Sequence, residues 1–212
     1  MHIVITGVNR GIGKSLAEHY RAQGHQVTGT ARRGDAQVIL DVTDPANHAE
    51  MAKTLADQPV DLLICNAGVY LDKGHGIDEY PVDMWAQSFA TNVTGVFLTV
   101  QSLLPNLRAA QGRIAIMSSQ MASHTRAPGG SYIYRASKAA VLNLGRNLAT
   151  DLKADGIAVG VYHPGWVQTD MGGAGAEISV DQATAGLVAR FDALSLGNSG
   201  CFETWDGRPH AY

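Results

Sequence analysis

Short runs of aliphatic and β-branched residues recur along this chain: His2 to Thr6, Gln26 to Thr30, Val38 to Leu40, Val60 to Cys65, Arg113 to Met117, Ala158 to Tyr162 and Cys201 to Thr204. Most are apolar at nearly every position, the pattern of strands in a parallel sheet covered on both faces. The gaps between most of them leave room for a helix and carry helix signals. A helical pattern runs from Lys14 to Gln23, Asp44 with Pro45 reads as an N-cap followed by a first-turn proline, and Pro81 opens a long segment reaching about Ala110. Another helical pattern starts at Tyr134 and continues through Leu144 and Leu148. Ser179 with Gln182 has capping-box spacing before Ala183 to Leu194. The expected architecture is one α/β domain over residues 1–212, a doubly wound parallel sheet of seven strands with helices on both faces. Its ligand crevice should lie beyond the carboxyl ends of the strands.

Composition narrows the function. A chain of 212 residues, 45% hydrophobic and 17% charged, suits one packed core and leaves no tract for disorder. A net charge of −3 gives no basic stripe for nucleic acid, so no nucleic-acid partner is expected. No apolar stretch approaches the roughly 20 residues that span a bilayer, and no basic segment precedes the apolar run after Met1. With only Cys65 and Cys201 there is no disulfide framework, and a cytoplasmic location without membrane attachment is expected. The eight histidines lack the paired spacing of a metal site, so no metal is expected.

Two motifs carry chemistry. The first strand runs into Thr6-Gly7-Val8-Asn9-Arg10-Gly11-Ile12-Gly13 and then into a helix. Glycines there let backbone N–H groups approach a pyrophosphate at a helix N-terminus, although a bare strand-to-helix turn has the same look. Tyr134 and Lys138, four residues apart, share a helix face. A free phenol, with a pKa of about 10, is a poor proton exchanger at neutral pH. A cation about 5 Å away, at an effective dielectric near 20, favours the phenolate by about 3 kcal/mol, roughly two pKa units before desolvation opposes it. Alone, the pair also fits an exposed amphipathic helix.

The Thr-Gly-x-x-x-Gly-x-Gly spacing resembles the turn of the short-chain dehydrogenases/reductases, a family with the Rossmann fold. The resemblance spans nearly the whole chain and assigns Gly7, Asn9, Arg10, Gly11, Ile12 and Gly13 to a dinucleotide. Asn66-Ala67-Gly68 is similar to the family's Asn-Asn-Ala-Gly element, with Cys65 at the first asparagine, and Asp41-Val42 to its adenine-contacting pair. Where NAD-preferring members end the second strand on an acid, this chain has Arg32-Arg33. A guanidinium pairs with a 2′-phosphate, so NADP is the expected cofactor, with Arg10 a second cation; the plainer alternative is solvated surface charge.

The resemblance makes Ser119 the serine that hydrogen-bonds a substrate carbonyl and Tyr134 the general acid and base. It makes Lys138 the holder of the nicotinamide ribose and Asn92 the link to a proton-relay water, with a structural bridge as the alternative for Asn92. Pro164-Gly165-Trp166-Val167-Gln168-Thr169 resembles the family's Pro-Gly-x-Val-x-Thr segment, where groups near Val167 and the Thr169 hydroxyl engage the nicotinamide amide and phosphate. Ser119 lies fifteen positions before Tyr134, and the shorter spacing of many members would select Tyr132. Only Tyr134 has Lys138 at i+4, and a loop expansion near Arg126 to Gly130 would absorb the difference.

Residues such as His163-Pro164-Gly165 and Tyr132-x-Tyr134 look most like the carbonyl reductases related to sniffer and the C-signal factor. That implies an aldehyde or ketone, or the matching alcohol, as substrate, in an open pocket lined by Tyr70, Met121, Trp166 and Met171. It also implies a homo-oligomer, dimer or tetramer, through the long helices around Asn92 and Lys138. The competing reading is a nucleotide-binding signalling or regulatory protein with little or no turnover.

Overall fold

The computed structural model describes residues 1–34 and 36–212. Among these, seven strands form one parallel sheet in the order β3-β2-β1-β4-β5-β6-β7: β1 (His2–Thr6), β2 (Gln26–Ala31), β3 (Val38–Ile39), β4 (Leu62–Cys65), β5 (Arg113–Met117), β6 (Ala158–His163) and β7 (Phe202–Thr204). The helices are α1 (Gly11–Ala22), α2 (Pro45–Leu55), α3 (Val82–Phe89), α4 (Gly95–Ala110), α5 (Tyr132–Asp151) and α6 (Val180–Ala193). Alternate strand residues point to opposite faces, and both faces are apolar. Val4, Leu63 and Ile114 pack with Met51 of α2, Val100 and Leu103 of α4 and Val141 of α5. Ile3, Ile5 and Ile64 pack with Leu16 and Tyr20 of α1 and Leu187 and Phe191 of α6. The chain winds outward from β1 to β3, then crosses to β4 on the other side of β1, which opens a crevice at the carboxyl ends of β1 and β4.

Several boundaries differ from the pattern reading for identifiable reasons. β4 starts at Leu62 because the Val60 N–H donates to Asn106 O at the end of α4 (3.0 Å). α1 starts at Gly11, so the last glycines of the turn form its first turn. The long segment after Pro81 is two helices: Pro81 caps α3, and a π-helical turn, Ala90–Thr94, separates it from α4. The capping box of α6 forms in both directions, with Gln182 N–H donating to Ser179 Oγ and Ser179 N–H to Gln182 Oε1, each at 3.1 Å.

Candidate active site

A cleft of about 890 Å³ lies over the carboxyl ends of the central strands. The turn after β1 and the loop after β4 form its base, and they are stitched together. The Thr6 hydroxyl accepts from Asn66 N–H and Ala67 N–H, both at 3.0 Å, while Asn66 Nδ2 donates to Thr6 O (2.9 Å) and Gly7 O (3.2 Å). A Cβ on Gly13 would sit 2.2 Å from Gly7 O, so the turn and the start of α1 close up only because residue 13 has no side chain. Gly7, Asn9, Arg10, Gly11, Ile12 and Gly13 all border the cleft, as do Asn66, Ala67 and Gly68.

Arg32 and Arg33 stand exposed on the rim after β2, beside Asp41 and Val42. Burial by itself would raise the Asp41 carboxyl, but the Thr43 N–H and hydroxyl and the charge of Arg32 outweigh it and hold the group below the usual carboxylate value. Arg10 Nη1 reaches across to Asp170 Oδ2 at 2.6 Å, both ends well exposed.

The opposite end of the cleft is built by α5. Tyr134 and Lys138 are both buried and both border the cleft. Lys138 Nζ lies 5.7 Å from the centre of the Tyr134 ring and donates to Met117 O at 2.9 Å. Ser118 Oγ donates to Lys138 O at 2.9 Å, pinning the helix to the end of β5. Buried Ser119 accepts from Met121 N–H at 3.1 Å, and its hydroxyl lies on the side of the Tyr134 phenol, where it favours the phenolate. Tyr132, by contrast, is 41% exposed and packs edge-on against Tyr80 at 5.4 Å, outside the cleft. Gly129, Gly130 and Ser131 are all left-handed, with φ of +83°, +69° and +50°, a tight reversal in the segment between Ser119 and Tyr134.

Desolvation decides the electrostatics. The ammonium does not bring the phenol toward neutrality. Burial pushes Tyr134 up to about 12, the Ser119 hydroxyl opposing this and Tyr70 and Asp72 adding to it. Burial brings Lys138 down to about 8. Two groups removed from water, the cation spent partly on a carbonyl, lose more from desolvation than they gain from each other. The phenol therefore holds its proton at neutral pH.

The remaining candidates fall into place differently. Asn92, 1% exposed, sits in the π-helical turn. Its Oδ1 accepts from Val69 N–H (2.8 Å), and its Nδ2 donates to Val69 O (2.9 Å) and Ser137 Oγ (3.0 Å), so its amide acts as the structural bridge. Pro164 and Thr169 border the cleft, but Thr169 Oγ1 already accepts from Gly172 N–H (3.1 Å) and donates to Val167 O (3.3 Å). Gly165 turns away, where a Cβ would meet Ile178 and Trp205, and Val167 is buried. Of the expected substrate-pocket residues, Met171 borders the cleft and Trp166 is exposed, whereas Tyr70 stacks on Tyr134. Motif spacing missed Asp72, a fully buried carboxylate that holds the start of α5. It lies in an irregular loop, its partners are 61 and 62 positions away, and no local signal marks it.

The family model for short chain dehydrogenase matches residues 1–177. The chain belongs to the short-chain dehydrogenase family. Within the family it is 39% identical to C-signal of Myxococcus xanthus over 159 residues, 74% of this chain and 95% of that protein. It is 32% identical to the 3-oxoacyl-(acyl-carrier-protein) reductase FabG of Escherichia coli, over 92% of this chain and 84% of that one. Among solved structures, the NADPH-bound carbonyl reductase from chicken fatty liver superposes with a TM-score of 0.91 at 29% identity, covering 100% of this chain and 98% of the other. The carbonyl reductase Sniffer of D. melanogaster gives 0.93 at 26% identity, with 100% and 99% covered. The short-chain dehydrogenase pattern departs here at Cys65, which is buried in the core, and Asn66 and Ala67 carry the contacts to the first turn.

Proposed function

We propose that the chain interconverts a small aldehyde or ketone and its alcohol with NADP(H), Tyr134 acting as general acid and base. The observation that carries this reading is the joint burial of Tyr134 and Lys138 at one end of a cleft whose other end is a glycine turn ringed by arginines, with Ser119 buried beside the phenol. The cofactor suits these residues. The turn after β1 offers backbone without a Cβ in the way, and Arg10, Arg32 and Arg33 supply cations for phosphates. When bound, NADPH supplies the hydride.

The chain's own part is binding and proton transfer. Ser119 orients the carbonyl oxygen toward the phenol, and Tyr134, protonated at neutral pH, delivers its proton to that oxygen as negative charge develops. The Lys138 ammonium then stabilises the phenolate left behind. In the reverse direction the phenolate takes the alcohol proton. NADPH oxidation across a panel of aldehydes and ketones tests this: turnover is expected in the native chain, a fall of roughly 10²- to 10⁴-fold in Tyr134→Phe, and near-native rates in Tyr132→Phe. Binding of NADPH without turnover across the panel would instead support a regulatory role, the second reading favoured by the likeness to C-signal.

We also propose a homo-oligomer through α4 and α5. Phe97 is 41% exposed on α4, and Leu104, Ala139 and Leu144 are only partly covered. Sedimentation at micromolar concentration should show a dimer or tetramer; a monomer would refute it. No helix among the described residues is long and apolar enough to cross a membrane. The free thiols of Cys65 and Cys201 fit a reducing cytoplasm.

A further inference from the structure

α5 begins without a cap of its own. Ser131, at the capping position, is left-handed (φ +50°), and its side chain bonds none of the first-turn N–H groups. Its hydroxyl is instead hydrogen-bonded to the Tyr70 hydroxyl at 2.5 Å. The first turn of the helix contains no acidic residue. Its N–H groups go to Asp72, in the loop after β4: Ile133 N–H donates to Oδ2 at 2.9 Å, and Tyr134 N–H to Oδ1 and Oδ2 at 3.2 and 3.3 Å. Asp72 is 0% exposed. A carboxylate removed from water is tolerated where N–H donors and the positive end of a helix meet it, and both do so here.

The same loop grips the side chain of residue 134. The Tyr70 ring lies parallel to the Tyr134 ring, with centroids 4.1 Å apart and planes 18° from each other. The preceding residue, Val69, is fixed at both its N–H and its carbonyl by Asn92. Residues 69–72 are thus a braced rail, with one side chain against the phenol ring and another against the backbone that carries it. We propose that Asp72 and Tyr70 are positioning residues for Tyr134, Asp72 by capping α5 from outside the helix and Tyr70 by fixing the plane of the phenol. This rests on the reading of Tyr134 as acid and base.

The arrangement has an electrostatic consequence. The charged and titratable groups facing Tyr134 are Tyr70 and Asp72 from the loop and Lys138 from its own helix, with the Ser119 hydroxyl opposite. The Asp72 charge opposes phenolate formation, cancelling part of what the helix N-terminus would otherwise contribute. The rail therefore holds the phenol in place and keeps its proton on.

Four variants separate this from simple scaffolding. Asp72→Ala should lower kcat roughly tenfold, the effect of a lost cap felt at the reacting group, with KM for NADPH within about twofold. Asp72→Asn keeps an acceptor for the helix and should recover most of kcat while moving the pH dependence of alcohol oxidation to lower pH. Tyr70→Leu, which removes the stacked ring, should lower kcat more than Tyr70→Phe, which removes only the bond to Ser131. A second readout does not need turnover. Tyrosinate absorbance after a stopped-flow pH jump, taken as the difference between each protein and its Tyr134→Phe counterpart, should give a lower midpoint in Asp72→Asn than in the native chain. A cap that only stabilises the fold would reduce melting temperature and leave that midpoint where it was, and such a result overturns the proposal. Native kcat in Asp72→Ala overturns it as well. Should Asp72→Ala fail to fold, Asp72→Asn and the Tyr70 pair still decide. If the native chain reduces no carbonyl, the functional reading fails, and the tyrosinate midpoint alone tests the role of Asp72.

Discussion

Lys138 shows at the scale of one residue how a site is held against the interests of the fold. Its ammonium is buried, with one carbonyl, Met117 O, as its hydrogen-bond acceptor, and its pKa falls from 10.5 to about 8. Between those values the unfolded chain holds a proton that the native chain has released, so stability from this group rises with pH through the window. Below about pH 8 the native state carries the whole desolvation cost. Lys138→Met keeps the volume and removes the charge. At pH 7 it should stabilise the protein by on the order of 2 kcal/mol, net of the lost hydrogen bond, and the gain should fade as pH rises toward 10.5. Turnover should be lost at every pH. Urea unfolding at pH 7 and at pH 9.5 checks the sign, and a variant less stable than native at pH 7 would mean that the ammonium is better solvated than its burial indicates. Tyr134 runs the other way: its native pKa of about 12 exceeds the ordinary 10.0, so its contribution declines as pH climbs between those values.

At the scale of elements, legibility in the sequence follows the range of the forces involved. The strands were readable because both faces of the sheet are covered, which makes each run apolar at nearly every position, and the glycine turn because backbone approach admits only glycine at residue 13. The capping box of α6 was readable because its two partners sit three residues apart. The break between α3 and α4 was not, since the π-helical turn is set by Asn92 reaching Val69 across 23 positions. The cap of α5 was hidden for the same reason, its carboxylate lying 61 positions before the N–H it accepts. Helical spacing singled out Tyr134 over Tyr132 correctly as to which residue faces Lys138. It could not report the local dielectric, and so the size of the desolvation that opposes the ammonium was not legible.

Across the whole molecule, the cleft draws on both halves of the sheet, and one contact links two of the segments that border it. Arg10, in the turn after β1, meets Asp170, in the loop after β6, over a sequence distance of 160 residues. With side-chain exposures of 68% and 75%, this ion pair adds little to the fold. Its location matters more: both residues border the cleft, next to the glycine turn that suits phosphate. An incoming dinucleotide phosphate must therefore compete with Asp170 for the Arg10 guanidinium and also meet the carboxylate's repulsion. Asp170→Asn keeps the shape and removes the competitor. It should tighten NADP binding by about two- to fivefold at low ionic strength, the scale of one exposed charge, and the advantage should vanish near 1 M salt, where the screening length is only about 3 Å. Melting temperature without cofactor should barely move. Isothermal titration at two salt concentrations measures both terms, and weaker NADP binding by the asparagine variant would show that Asp170 belongs to the grip on the cofactor rather than to the competition against it.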